Sequence, residues 1–392
     1  MHREERTMTT IYLIRHAEAE GNVFRRIHGQ YDSCVTPNGR RQIAALAQRF
    51  AGIPVDAVYA SDLKRTCLTA TAIYRQKGLP LHRDARFREV GLGPWEDTPF
   101  GELERRYPAQ LHAFSHDSYH WYVEGAECFL QYAHRFLAGL DDVVRRHEGQ
   151  SIAIFSHGMV LRGALIELFF PGQDEGVSHS ENTAVTELHW ENGSYELISL
   201  NDATHLTPEL STLGRQTWWR GSGSGVEDLR YEPLRFPRDE AFYLQCYRDA
   251  WRNVHETDEG FVPELYARSA ARHAQEHPGS VVRVLSGDRV VGLVELDPGR
   301  DEQSGCGWIS LLYMLPEYRG RGWAIQLLGY AFWFYENHDR AAVRLHVSEN
   351  NARAITFYQR SGFVQIGRDP GVRAHLLLMG RLIHRTVTHG TV

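Results

Sequence analysis

Short apolar runs alternate with segments of helical period through the first half of the chain. Strands are expected at 10–15 (IYLIR), 55–60 (VDAVYA), 151–156 (SIAIFS) and 184–190 (AVTELHW). Helical patterns fall between and around them at 37–51, 62–77, 99–116, 126–148 and 159–169. Strand alternating with helix predicts an α/β domain with a largely parallel sheet. Residues 213–232, LGRQTWWRGSGSGVEDLRYE, break the pattern, and GSGSG has the composition of a flexible linker. It also contains GxGxG, but no strand precedes it, so it does not read as a phosphate loop. A different order follows: a helix at 237–253, strands at 280–286, 289–296 and 307–314, and a helix at 322–337. A strand at 342–347, a helix at 351–361 and strands at 363–368 and 373–382 complete it. That order predicts an α+β domain. The halves share no repeat, so the expected division is 9–212, a linker at 213–228, and 229–385.

A length of 392 residues fits two cores better than one. The N-terminus MHREERTMTT lacks an apolar core, so no secretory signal is expected, and WAIQLLGYAFWFY is too short to span a bilayer. Five cysteines, Cys34, Cys67, Cys128, Cys246 and Cys306, are odd in number and scattered, which favours reduced thiols and a cytoplasmic location. The net charge is −6, and residues 1–213 hold 21 Lys+Arg against 28 Asp+Glu. Neither half has the basic excess of a nucleic-acid binder. Any anion site in the first half must be a local arginine cluster in an acidic body. Trp218 and Trp219 are candidates for docking one domain on the other or a second subunit, so a homodimer stays open.

Ligands of open α/β sheets bind beyond the carboxyl ends of the strands. The first strand ends at Arg15 and His16, the 151–156 strand at His157, and Arg65 follows the second strand in YASDLKRT. An arginine fork matches phosphate oxygens, and a histidine among such arginines can attack phosphorus. Glu89, in RFREVGLGPWED, is a candidate proton donor. His112, His116 and His120 recur every four residues; on one helix they would share a face and could hold a metal, though a partly exposed stripe near the pocket is the plainer expectation.

LIRHAEAEGN, DSCVTPNGRRQ, YASDLKRTCLTA, FREVGLGPWED, SHGMVLR, ENTAVTEL and LNDATHL occur in order over about 9–210. Together they resemble the histidine phosphatase superfamily in its phosphoglycerate-mutase-like branch. The resemblance implies a three-layer α/β fold and no cofactor or metal. It makes His16 the phosphorylated nucleophile, with Arg15, Arg65 and His157 binding the phosphoryl group and Asn22 assisting. Glu89 would protonate the leaving oxygen and then activate water. The family usually reads RHGxTxxN; here Ala17 replaces glycine and Ala19 the hydroxyl residue. The modest stretch between Glu89 and His157 favours hydrolysis of a small phosphate ester over mutase activity.

In LLYMLPEYRGRGWAIQLLGYA, at 311–331, an apolar strand leads to Gly320 and Gly322 and then a long helix. Backbone N–H groups at such a helix start bind anions. With LHVSENNARAITFYQRSGF at 345–363, this segment resembles the GNAT superfamily over about 229–385. The resemblance implies the GNAT acyl-CoA N-acyltransferase fold and acetyl-CoA. The cofactor would be held by Met314, Arg319, Gly320, Arg321, Gly322, Trp323, Ala324 and Asn351, with Tyr358 protonating the departing thiolate. The strand WISLLYM carries no carboxylate, so the base that deprotonates the acceptor stays open between Glu295, His346 and a water chain. The sequence thus reads as a bifunctional enzyme acting on a small phosphorylated metabolite and on a small-molecule or protein amine, without nucleic acid or membrane. The alternatives are a phosphatase-like domain that senses a phosphate ligand and regulates the acetyltransferase, or a phosphoglycerate-type mutase.

Overall fold

The computed structural model describes residues 8–173, 176–216, 228–371 and 374–383. Most of the expected linker, including Trp218 and Trp219, lies outside the described residues. The chain divides into two compact units: Met1–Thr98 with Arg106–Val226, and Pro99–Arg105 with Glu227–Val392.

The first unit is built on strands β1 (Thr9–Arg15), β2 (Ala57–Ala60), β3 (Leu81–Arg83), β4 (Ser151–Ser156), β5 (Val185–Glu191) and β6 (Ser194–Asp202), in spatial order β3-β2-β4-β1-β5-β6. The four strands β3, β2, β4 and β1 run parallel, and β5 and β6 add antiparallel edges. Every residue of β4, SIAIFS, is buried, as expected for a central strand covered on both faces. After the short helix α1 (Glu20–Phe24), helices α2 (Pro37–Arg49) and α3 (Lys64–Lys77) bring Leu46, Phe50 and Ile73 against Ile14, Val58 and Phe155 on one face. Helices α4 (Phe129–Arg146) and α5 (Gly158–Phe169) pack on each other. The side chain of Thr36 caps α2 by accepting from Gly39 N, with Pro37 in the first turn. Because β1, β2 and β4 are parallel neighbours, their carboxyl ends share one rim.

The second unit runs β7 (Arg230–Pro233), α6 (Glu240–His255), α7 (Pro263–Glu276), β8 (Val281–Ser286), β9 (Arg289–Asp297), β10 (Cys306–Met314), α8 (Ala324–Glu336), β11 (Ala342–Ser348), α9 (Ala352–Arg360), β12 (Val364–Asp369) and β13 (Leu376–Leu382). The strand order is β12-β13-β11-β10-β9-β8-β7. The β10–β11 pairing is parallel and covers only Cys306–Ile309 with Ala342–Leu345. Beyond it β10 continues to Met314 against β9 alone, after a register shift that leaves Ser310 without an opposite residue. The backbone of residues 311–314 therefore has a strand partner on one side only.

The expected single helix over 99–116 is two helices, Phe100–Arg106 and Pro108–His116. Tyr107 precedes a proline and leaves the helical region at φ −137 and ψ 51. His120 lies in the turn beyond that second helix, so the three histidines do not share a helical face. His112 and His116 stack with ring centroids 4.6 Å apart. Among the described residues no group of three His, Cys, Asp or Glu side chains is arranged to hold a metal ion. Helix α7 and strands β3, β6 and β7 were not anticipated.

Gly21 sits where a Cβ would lie 2.2 Å from Nε2 of His28, a ring fixed by its Ser33 hydrogen bond at 2.8 Å. Gly21→Ala is expected to cost about 1–3 kcal/mol through overpacking, read as a lower urea midpoint for the first unit. Gly52→Ala, with open space around the added carbon, is the control and leaves the midpoint in place.

Candidate active sites

His16 follows β1 and is 5% exposed. Its backbone N–H donates to Ser156 O on β4 at 2.9 Å, and Asn182 Nδ2 donates to its carbonyl at 2.9 Å. Its Nδ1 lies 2.8 Å from the carbonyl of Ala17. A carbonyl can only accept, so Nδ1 carries the ring proton and Nε2 is left with the lone pair. Burial, then the charges of Arg65 and Arg15, hold this imidazole well below its ordinary range, so it is neutral.

Arg65, on α3, is 1% exposed and donates to Tyr31 O and Gly29 O, each at 2.7 Å. Burial pushes it down to about 10, which leaves it charged at neutral pH. Arg15 donates to Ser180 O, and burial lowers it too, against the opposing charges of Glu181 and Glu89. His157, fully buried, lies with its ring centroid 5.3 Å from that of His16. Ser61 Oγ accepts from Leu63 N at 3.3 Å and lies 2.9 Å from His157 Nε2; with Ser61 as the donor, the ring proton of His157 sits on Nδ1. Three buried nitrogens of this group, Arg15 Nε, Arg65 Nε and His157 Nδ1, have no hydrogen-bond partner among the described residues. Buried N–H groups are rarely left so; a tetrahedral oxyanion would satisfy them.

Glu89 is held by three backbone donors: Val90 N at 3.1 Å, Val160 N at 2.8 Å and Met159 N at 3.2 Å. Two of these belong to the first turn of α5, so the carboxylate caps the helix that begins beside His157. Asn22 is placed by Ala19 N, which donates to its Oδ1 at 2.9 Å; Asn182 also reaches that oxygen at 3.4 Å. The structure thus brings Arg15, His16, Arg65, Glu89 and His157 around one rim. Ser61, Asn182 and Thr69, which accepts from Ala17 N at 2.9 Å, were not singled out in the sequence. The first two follow the β2 strand and open the ENTAVTEL segment, which is the signal that was available.

A second layer ties this loop to the end of the unit. Glu18, 2% exposed, accepts from Thr36 Oγ1 at 2.6 Å, Asn38 Nδ2 at 3.1 Å, Thr212 Oγ1 at 2.8 Å and Arg215 Nη2 at 2.5 Å. Glu181 accepts from Ser211 Oγ at 2.5 Å and Leu213 N at 2.9 Å, and Gln216 Nε2 donates to Asn22 O at 2.6 Å.

In the second unit, Gly320 and Gly322 adopt φ +85 and +78, a region glycine enters without strain. Arg319 is committed locally: Nε donates to Met314 O at 2.9 Å and Nη2 to Asp249 Oδ2 at 2.7 Å. Arg321 lies over the rings of Tyr318 and Trp323, at 5.1 and 5.3 Å. Trp323 and Ala324 start α8. Asn351 caps α9, its Oδ1 accepting from Ala354 N at 3.0 Å. Tyr358 is half-buried against Phe363, burial raises its pKa, and its hydroxyl has no hydrogen-bond partner among the described residues. Glu295, 4% exposed, accepts from Tyr243 OH at 3.0 Å and is raised by burial to about 8.

Residues 11–203 match the family model described as Histidine phosphatase superfamily (branch 1), and residues 242–363 match that of the Acetyltransferase (GNAT) family. The chain is 28% identical over 200 residues to "Phosphoserine phosphatase 1" of Hydrogenobacter thermophilus, covering 51% of this chain and 95% of that protein. It is 32% identical over 219 residues to "Probable phosphoglycerate mutase GpmB" of Serratia proteamaculans, covering 53% of this chain and all 100% of the relative. Among solved structures, Bacillus stearothermophilus YhfR aligns with TM-score 0.49 and 29% identity over 50% of this chain and 98% of that one.

Burial is the first cause that holds His16, His28 and His157 well below 6.5. As pH falls through about 6.5 the unfolded chain takes up protons that the folded one refuses, so stability is lost as pH falls. The first unit is expected to unfold at lower urea at pH 5 than at pH 7. In an NMR titration these three rings stay neutral through pH 6.5; a midpoint at or above 6.5 for His16 contradicts the assignment.

Proposed function

We propose a reaction for each half of a chain that belongs to the histidine phosphatase superfamily over residues 11–203 and carries a GNAT acetyltransferase domain over residues 242–363. The first half hydrolyses a small phosphate monoester through a phosphohistidine at His16. One observation carries this reading: a neutral His16 with its Nε2 lone pair available, set among Arg15, Arg65 and His157, whose Nε, Nε and Nδ1 atoms have no hydrogen-bond partner among the described residues. Nε2 attacks phosphorus, and the P–O bond to the alcohol breaks as Glu89 gives the leaving oxygen a proton. Water, losing its proton to Glu89, then attacks the phosphohistidine and releases phosphate. The arginines and His157 hold the equatorial oxygens, so the chemistry requires no metal. The names of the relatives bring phosphoserine and phosphoglycerate in as first esters to test.

The second half transfers acetyl from acetyl-CoA to an amine. The pyrophosphate would lie on backbone amides of residues 319–324, opened by the two positive-φ glycines. The pantetheine arm would run along the one-sided backbone of residues 311–314, in the gap beyond the Ile309–Leu345 pair. Asn351 would flank the arm, and Tyr358, kept protonated by burial, would give its proton to the thiolate.

The phosphatase reading is tested on p-nitrophenyl phosphate in EDTA, where His16→Ala is expected to abolish turnover. Release of inorganic phosphate from phosphoserine or phosphoglycerate separates hydrolysis from the mutase reading, which yields an isomerised ester. Phosphate binding without turnover would favour the sensor. Glu89→Gln is expected to lower kcat about 10²–10⁴-fold on an alkyl phosphate, and less on the aryl ester, whose leaving group needs no proton. For the second half, Gly320→Val forces a β-branched residue into positive φ; calorimetry is expected to show acetyl-CoA affinity falling by about tenfold or more, which corresponds to about 1.4 kcal/mol.

A further inference from the structure

The acetyl transfer proposed above leaves open which group deprotonates the acceptor amine, and the sheet geometry narrows the choice. The β10–β11 ladder ends at Ile309–Leu345, so His346 is the first residue of β11 beyond the last pair. The parallel pair Trp308–Arg344 puts Arg344, and two residues later His346, on the face of Trp308. The rings of Trp308 and His346 meet edge to face with centroids 4.8 Å apart. His346 pairs with Leu378 and Ser348 with Leu376 on β13, while Asp369 at the end of β12 pairs with Leu376 from the other side. Those registers bring Asp369 Oδ2 to 2.8 Å from His346 Nε2. An ionised carboxylate only accepts, so Nε2 of the neutral ring bears the proton and Nδ1 the lone pair. The side chain of His346 is 21% exposed and can be reached.

The other charged groups nearby are already paired. Arg344 reaches Asp301 at 3.0 Å, Arg368 reaches Glu349 at 2.5 Å, and Arg300 lies 3.4 Å over the Trp308 ring. Glu295, on the same face opposite Leu311, is the competing base. It is enclosed by Tyr243, Tyr247, Tyr266 and His273, and with a pKa of about 8 it already holds a proton at neutral pH. Enclosed and mostly protonated at neutral pH, it is the poorer acceptor for a proton from a substrate amine.

We propose that His346, oriented by Asp369, is the general base of acetyl transfer. Nδ1 takes one proton from the acceptor ammonium, and Asp369 balances the imidazolium. The free amine attacks the thioester carbonyl, a C–N bond forms and the C–S bond breaks. As the adduct collapses, Tyr358 gives its proton to the thiolate and the nitrogen's second proton passes through water to restore the Tyr358 hydroxyl. The net products are the amide, free CoA thiol and one proton, released through His346.

The test uses the full-length protein with acetyl-CoA and a panel of primary amines: ethanolamine, spermidine, serine and a lysine peptide. kcat/KM is followed against pH for wild type, His346→Gln and Asp369→Asn, and acetyl-CoA binding by calorimetry checks that each variant is folded. His346→Gln is expected to lose about 10²-fold or more at pH 7 and to lose the limb by which wild-type activity rises with pH. Asp369→Asn leaves the ring unoriented, so kcat falls while the amine KM and the acetyl-CoA affinity change little. A merely structural defect would move all three. Wild-type turnover with an unaltered profile in His346→Gln overturns the dyad alone. A wild type that acetylates no amine overturns the acetyltransferase reading, and the role of His346 with it.

Discussion

The hydrogen bond between His16 Nδ1 and the carbonyl of its own neighbour, Ala17, decides which nitrogen of the ring keeps a lone pair. A bond one residue long costs the chain almost nothing to form, but it is useful only if the ring is neutral. Neutrality follows from enclosure and from two buried guanidinium groups close by, and those groups must themselves be held. Backbone carbonyls of residues 29 and 31 hold Arg65, and that of Ser180 holds Arg15. The loops around the rim can therefore be understood as supports for two desolvated cations. Glu18, Glu96 and Glu181 hold the loops in turn, Glu96 by accepting from Gln30, Tyr31 and Leu92. Acid residues brace the segments while the arginines remain available to an anion, which is how a cationic pocket persists in a chain of net charge −6.

The second unit reaches a comparable end by a different route. The path proposed for its cofactor is defined by backbone, where a parallel ladder stops after Ile309 and residues 311–314 have a strand partner on one side only. The arginines of the loop that the sequence marks as anion-binding are engaged by neighbouring groups: Arg319 ties Met314 to Asp249, and the exposed Arg321 lies on aromatic rings. What remains for an anion there is the set of amides between two positive-φ glycines.

Much of this was legible in the chain because the relevant signals are local. Apolar runs ending in Arg15 and His16 or in His157 place those residues at strand termini, and parallel pairing does the rest. The glycines of RGRG announce their own backbone conformation. The failures have physical causes. Pro108 splits a segment whose apolar period is continuous, because the restriction it places on Tyr107 outweighs helix propensity. The edge strand Ser194–Asp202 is half polar, and the helix Pro263–Glu276 announces itself only by Pro263 and Glu264 in its first turn. The partnership of His346 with Asp369 depends on two registers spanning three strands, and no window of sequence contains it. The position of Ser61 after a strand is legible, but its closeness to His157 spans 96 residues and no short stretch of sequence contains it.

The clasp between the loop that follows β1 and residues 211–216 bears on how such a chain can be assembled. Gln216 is the last described residue before the junction, and its side chain already reaches the carbonyl of Asn22. Thr212 and Arg215 supply two of the four donors to the buried Glu18. The first unit therefore does not end with its last strand at Asp202; its closing segment is a working part of the rim. A second domain can be appended only downstream of that segment, and a fragment cut nearer to the sheet would leave a buried carboxylate stripped of half its partners. How early a second domain can begin is set here by the hydrogen bonds of one glutamate.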